Sequence, residues 1–245
     1  MGVRGNTSTV LVPLFVAVCL LTGCSQKSTT SSTSAPQTTI SADSTPIRLP
    51  VQVGGKTGYV DGTGQLVITP QFNEAREFHE GRAAICIGAP CRSSLLLLGP
   101  PEGALWGFID ASGRIVVAPQ YPEVSDFHEG VASVCTGDCG VKPTKPSSNG
   151  YIDKDGKVVI PMQFAMAESF SEGLAAVCVG GCQHDSNGKG KFGFIDHSGH
   201  FVINPQYDIV GSFTNGFATV TVVNGNDYKV GYVDKTGKVI WQPSN

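Results

Sequence analysis

Six of the eight cysteines in the 245-residue chain form three close pairs, Cys86/Cys91, Cys135/Cys139 and Cys178/Cys182. Thiols at this spacing have two uses. They can staple small loops: cysteines this close across a hairpin loop bring their Cα atoms within the ~4.4–6.8 Å that a disulfide needs. Loop entropy for about five residues makes each staple worth roughly 2 kcal/mol. Alternatively, they can bind metal. Cys178, Cys182 and His184 form a C-x3-C-x-H cluster whose thiolates and imidazole suit zinc or copper. The sister pairs have no histidine nearby, and the reading preferred here is three local disulfides with no metal. Six cysteines allow 15 pairings, so sequence proximity is the guide to connectivity.

Other constellations are weaker. Asp153-Lys154-Asp155-Gly156 opens like a calcium loop but lacks the closing glutamate. His79-Glu80 and His128-Glu129 recur inside Phe-His-Glu-Gly and could do acid–base work. The matching positions further on read Ser171-Glu172 and Thr214-Asn215, so variation within a solvated turn is the simpler reading. Gly-X-Ser-X-Gly, HExxH and phosphate-loop patterns do not occur. The expectation is no catalytic residue, no cofactor and no enzyme.

Composition points to turns. Charged residues are 15% of the chain, against about 25% in typical domains. Glycine and proline together make about 19%, against roughly 12% usually, which argues against a helical bundle. The net charge of −3 gives no electrostatic footprint for nucleic acid.

The elements that carry these residues are repeated. Five segments align: Gly58-Tyr59-Val60-Asp61, Gly107-Phe108-Ile109-Asp110, Gly150-Tyr151-Ile152-Asp153, Gly193-Phe194-Ile195-Asp196 and Gly231-Tyr232-Val233-Asp234. The steps between their glycines are 49, 43, 43 and 38 residues. Each Asp opens a four-residue turn ending in Gly64, Gly113, Gly156, Gly199 or Gly237. An Asp side chain that accepts backbone amides, with glycine in the left-handed position, explains that spacing. Apolar runs follow, such as Ile115-Val116-Val117, and then Gln71, Gln120, Gln163 and Gln206, expected to satisfy backbone groups between units. Next come Phe78, Phe127, Phe170 and Phe213, expected in the core, each three residues before a glycine. A third run, such as Val131-Ala132-Ser133-Val134, closes the unit. Short β-branched runs bounded by Gly, Pro and Asn are strands. Each unit therefore reads as a three-stranded β-meander, and four units plus a terminal hairpin make about 14 strands.

This pattern resembles the bacterial WG, or KWG, repeat, with Trp106-Gly107-Phe108-Ile109-Asp110 matching it fully. Other copies replace the Trp by Thr57, Asn149, Phe192 and Val230. Pro70, Pro119 and Pro205 fit the pattern, and the third copy shifts it to Pro161. The resemblance implies an all-β fold of tandem repeats and carries over no catalytic residue. One unit exposes an apolar face that only a neighbour can cover. The expected fold is an open or partly closed, propeller-like array.

The first cysteines of the pairs follow the same period, and the fourth unit has Thr221 there. Its loop is short and reads Asn224-Gly225, a hairpin signal. The other three loops are longer by 11, 5 and 5 residues. The longest contains Leu95, Leu96, Leu97 and Leu98, either tucked under the array or exposed as a weak candidate binding patch.

The N-terminus reads as an address. Arg4 precedes the apolar run Val10–Leu21, too short to span a ~30 Å hydrocarbon core as a helix but suited to a signal peptide. Leu21-Thr22-Gly23-Cys24 resembles the bacterial lipobox. That resemblance implies cleavage before Cys24, palmitate-type acylation of that residue, and an outer-membrane destination in a Gram-negative host, since Ser25 follows. In residues 25–46, 13 of 22 are Ser or Thr and none is aromatic, the composition of a flexible tether. The expected organisation is a signal peptide (1–23), a lipidated Cys24 with its linker (24–46) and a β domain (47–245). Its units are about 51–99, 100–142, 143–185 and 186–228, with a terminal hairpin at 229–245. The expected protein is a lipid-anchored envelope lipoprotein, held to the membrane by its N-terminal lipid. It would present a non-catalytic surface to an envelope protein, a peptide or a glycan, or else serve a purely architectural role.

Overall fold

The computed structural model describes residues 46–88, 91, 103–137, 139, 147–182 and 190–242. Cys24, the tether and Leu95–Leu98 lie outside them.

The described residues form nineteen strands and no helix, arranged in five antiparallel sheets. Sheet one holds β1 (Leu49–Val53), β2 (Lys56–Val60) and β3 (Leu66–Phe72). Sheet two holds β4 (Glu74–His79), β5 (Arg82–Ile87), β6 (Leu105–Asp110) and β7 (Ile115–Tyr121). Sheet three holds β8 (Glu123–Val124), β9 (Val131–Gly137), β10 (Ser147–Asp153) and β11 (Val158–Phe164). Sheet four holds β12 (Met166–Ala167), β13 (Ala175–Val179), β14 (Lys191–Ile195) and β15 (Phe201–Tyr207). Sheet five holds β16 (Ile209–Val210), β17 (Phe217–Asn224), β18 (Asp227–Asp234) and β19 (Val239–Trp241).

The repeat and the sheet are out of phase. The third run of one sequence unit pairs with the Gly-aromatic-x-Asp strand of the next, as in Ala84 opposite Phe108. Four sheets also gain a first strand that follows directly from the previous sheet. Glu74 pairs with Cys86, Glu123 with Cys135, Met166 with Cys178 and Ile209 with Thr221. These contacts are two residues long in three of the sheets, too short to leave a period-2 pattern in the sequence. Sheets two to five thus borrow their first strands from the preceding unit, which ties neighbours together through backbone hydrogen bonds as well as side chains.

The core lies between successive sheets. Tyr59, Ile68 and Phe72 of sheet one pack on Ala83, Ile85 and Ile109 of sheet two. The same positions recur at the next three interfaces, for example Tyr151, Ile160 and Phe164 against Ala175, Val177 and Ile195. Of the expected core phenylalanines, Phe127, Phe170 and Phe213 are buried and Phe78 is half-buried, each meeting the preceding sheet's aromatic edge to face. Tyr59–Phe78, Phe108–Phe127, Tyr151–Phe170 and Phe194–Phe213 have ring centroids 4.8–5.0 Å apart. Such pairs add about 0.5–1.5 kcal/mol beyond area burial. The repeat glycine is explained by a close approach. A Cβ on Gly107 would collide with the Val117 carbonyl and with Pro119, because the bulged neighbouring strand runs against it. Gln71, Gln120, Gln163 and Gln206 do not bridge units as expected: each is exposed. They alternate with the buried Phe72, Tyr121, Phe164 and Tyr207, so the strand's period of two turns them outward.

Candidate interaction surface

Consecutive antiparallel connections alternate between the two ends of a sheet. The array therefore has a side of tight turns and a side of loops.

On the tight side each repeat Asp organises its own turn. Asp110 Oδ1 accepts the Ser112 amide at 3.0 Å and hydroxyl at 2.5 Å, and the Arg114 amide at 3.2 Å. The Ser112 hydroxyl, with help from Arg114, pulls the Asp110 carboxyl down to about 2. Asp61, Asp196 and Asp234 are likewise held low, first by the hydroxyls of Thr63, Ser198 and Thr236. Asp153 Oδ1 is taken up by the Asp155 and Lys157 amides, so its turn is one of the five rather than half of a calcium loop.

The second set of tight turns carries a feature that the sequence reading missed. Glu80, Glu129, Glu172 and Asn215 all have positive φ, each followed by a positive-φ glycine. Two such residues make the turn that suits the twist of a hairpin. A non-glycine residue there costs on the order of 1 kcal/mol. The carboxylates offset that cost. Glu80 accepts the amides of Glu129 and Gly130 at 2.7 and 2.9 Å and pairs with Lys154 at 3.0 Å. Glu129 accepts the Gly173 amide at 2.9 Å and meets His197 Nε2 at 3.0 Å. Glu172 accepts the Gly216 amide at 2.9 Å and pairs with Lys235 at 3.2 Å. Each glutamate thus clamps both tight turns of the next sheet. Burial pushes the Glu80 carboxyl up, but Lys154 and the turn amides outweigh it and hold it low. The Gly216 amide and Lys235 lower Glu172. The recurrence of Glu at one repeat position was the available signal.

The histidines are therefore not partners of the glutamates beside them. His79 faces Asp126 at 3.7 Å, and its ring lies 5.7 Å from that of His128. Arg76 lies over Trp106 at 4.4 Å, donates to the Val124 carbonyl at 2.9 Å and pairs with Asp126 at 3.6 Å. Glu123, beside this cluster, is pushed up by burial, against the pull of Arg76. The arrangement joins sheets two and three.

The loop side carries the cysteines. Cys86, Cys135 and Cys178 are buried at equivalent strand positions, opposite Trp106, Asn149 and Phe192. Each is bonded to the second member of its own pair, with Cα separations of 6.0 Å to Cys91, 6.1 Å to Cys139 and 6.1 Å to Cys182. This leaves Cys178 and Cys182 no free thiolate for the metal alternative, and His184 lies outside the described residues. Among those residues no group of three or more His, Cys, Asp and Glu could hold a metal ion. In sheet five Thr221 is buried at the cysteine position, and β17 and β18 pair without interruption to Asn224 and Asp227. The turn's central residues are Gly225 and Asn226, one step along from the expected Asn-Gly. Gly225 has φ +62°. A lone positive φ at the first central position belongs to the other common hairpin turn.

The sheets, turns and stapled loops define an all-β repeat module. A family model, described as the WG containing repeat, matches residues 58–89, 106–138, 150–181 and 192–226. These stretches cover more than half of the chain, which belongs to that family. A search of curated proteins finds no match. Among solved structures, a crystal structure of the tricorn protease is similar over 79% of this chain, at 14% sequence identity and a TM-score of 0.34. The chain spans 22% of that protein's length.

Proposed function

We propose that this protein is a lipid-anchored lipoprotein of the bacterial envelope whose repeat array presents a non-catalytic binding surface on its loop side. Its target is a protein, a peptide or a glycan of the envelope. One observation carries the reading. Three successive sheets release a long connection at the same strand position, and a disulfide pins the base of each. Binding residues are disproportionately found on loops held by a rigid scaffold. Disulfides of this kind persist in oxidising compartments, which agrees with an exported chain. The lipobox-like Leu21-Thr22-Gly23-Cys24 and the Ser/Thr-rich tether support an anchored array held off the membrane surface.

Two measurements test it. Intact mass of the membrane-extracted protein should show loss of residues 1–23, an added lipid mass and no alkylatable thiol before reduction. An unlipidated chain with free thiols overturns the placement. Envelope components retained by the full chain should be lost when the three stapled loops are replaced together by two-residue turns. Retention by the loopless array removes the loop-side reading and leaves an architectural role.

A further inference from the structure

The two ends of the array expose positions that are buried at its internal interfaces. At the four internal interfaces, the forward face of a sheet presents an aromatic and a branched residue, Tyr59 and Ile68 in sheet one. Their counterparts on sheet five are Tyr232 and Trp241, paired across β18 and β19 as Tyr59 and Ile68 are across β2 and β3. Tyr59, Phe108, Tyr151 and Phe194 are fully buried, whereas Tyr232 is 44% exposed. Ile68, Val117, Ile160 and Ile203 are at most 4% exposed, whereas Trp241 is 53% exposed. The rear face of sheet one mirrors this. Leu49 pairs with Val60 as the buried Ala83 pairs with Ile109, yet Leu49 is 51% exposed.

From this we infer that sheet five of one copy stacks on sheet one of another, extending the repeat interface head to tail between chains. The departures from the repeat at the two ends fit each other. At the last three internal interfaces a glutamate reaches forward to a turn's amides and to the cation after the next sheet's Asp. Sheet one begins with β1 and so lacks that amide turn among the described residues, and Gly62 stands where sheet two has Ala111 and sheets three to five have Lys154, His197 and Lys235. Sheet five carries Asn215 in place of the glutamate, so no carboxylate is brought to a turn that could not satisfy it. One further position adds an apolar pair. It is Arg48 in sheet one and Arg82 in sheet two, which donate to the carbonyls of Ala111 and Lys154 in the next sheet's Asp turn, and it is Val131, Leu174 and Phe217 in sheets three to five. Phe217 is 44% exposed, and the Gly62 turn it would meet is flanked by the side chain of Ile47. A heterologous contact of this kind propagates unless it closes into a ring.

Sedimentation equilibrium on the full chain in density-matched detergent should show concentration-dependent association beyond the dimer. Trp241→Glu and Leu49→Glu each spoil one half of the contact, and both sites are exposed enough to leave the fold intact. Each variant alone should be monomeric, with self-association weakened at least tenfold. An equimolar mixture should form dimers and stop there, because one good face of each kind remains. If Leu49→Glu unfolds, Ile47→Glu replaces it as the rear-face variant. A monomeric wild type at all concentrations overturns the inference, as does dimerisation of either variant by itself, which would mark a symmetric face-to-face contact. The outcome is independent of envelope-ligand capture, since neither substitution touches the stapled loops.

Discussion

The tight side and the loop side of the array solve the same problem in opposite ways. Both must reverse the chain between paired strands. On the tight side the turn chemistry is nearly invariant from sheet to sheet: an Asp that collects its own amides, and a positive-φ residue whose carboxylate clamps the next sheet. On the loop side the connection is free to lengthen, and a disulfide holds its base. Sheet five shows that the staple is needed only where the loop is long, since Gly225 and Asn226 close β17 onto β18 with Thr221 in the cysteine's place. Stability is thus concentrated on one side, and the other is left open to variation.

The largest effect should come from the residues that root the tight side in the core. Phe127 is 1% exposed, meets Phe108 at 4.8 Å and lies two residues before the Glu129 turn. Phe127→Ala should cost about 3–5 kcal/mol. Urea unfolding reads this directly, and a loss under 1 kcal/mol would mean that the turns hold without their core anchor. On the loop side, replacing Cys178 and Cys182 together by alanine should cost roughly 2 kcal/mol. A larger loss would show that the staple supports the sheet as well as the loop.

The glutamate clamps come next. Glu129→Gln keeps the strained backbone and removes the charge, and should cost about 1 kcal/mol. That is a drop of roughly 2–4 °C in Tm for a domain of this size. Glu129→Asn, which copies Asn215, should recover the part due to backbone strain, since Asn tolerates positive φ. Acid should act on the same side. The carboxyls of Asp61, Glu80, Asp110, Glu172, Asp196 and Asp234 are held below their ordinary values. Their contribution is complete above the ordinary carboxylate range. It is lost as pH falls through the lowered values, to about 2 for Asp110. Tm should therefore decline from about pH 4 downward.

How far this contrast could be read from sequence depends on the range of each interaction. Local chemistry was legible: the Asp-to-Gly turns, the cysteine pairs and the four phenylalanines all stand where spacing alone put them. Relations between units were not. Glu80 reaches amides 49 and 50 residues away, and a pattern of Phe-His-Glu-Gly reads equally well as a solvated turn. Recurrence of the glutamines does not make them bridges, since recurrence on a strand also marks the outward face, where they are. The first strands of sheets three, four and five are hidden for a related reason, since two paired residues carry no period. Exposure at the ends was equally hidden: Tyr232 and Trp241 repeat the buried pattern, and only the absent neighbour distinguishes them.

The smallest expected change in stability is the most informative about the loop side. Sheet five supplies a natural template for closing β13 onto β14. Replacing residues 180–190 by Gly-Asn, with Cys178→Thr to match Thr221, removes loop and staple together. Val179 and Lys191 already pair as Asn224 and Asp227 do at the end of their ladder. A two-residue turn needs no loop closure, so the loss of the disulfide should be compensated and Tm should shift by no more than a few degrees. If the loops exist to meet a ligand, capture should fall while the melting curve stays cooperative. If instead the melting curve broadens or Tm falls as far as in the double cysteine-to-alanine variant, the loop is part of the sheet's own support. The division of labour between the two sides would then fail at the fourth sheet.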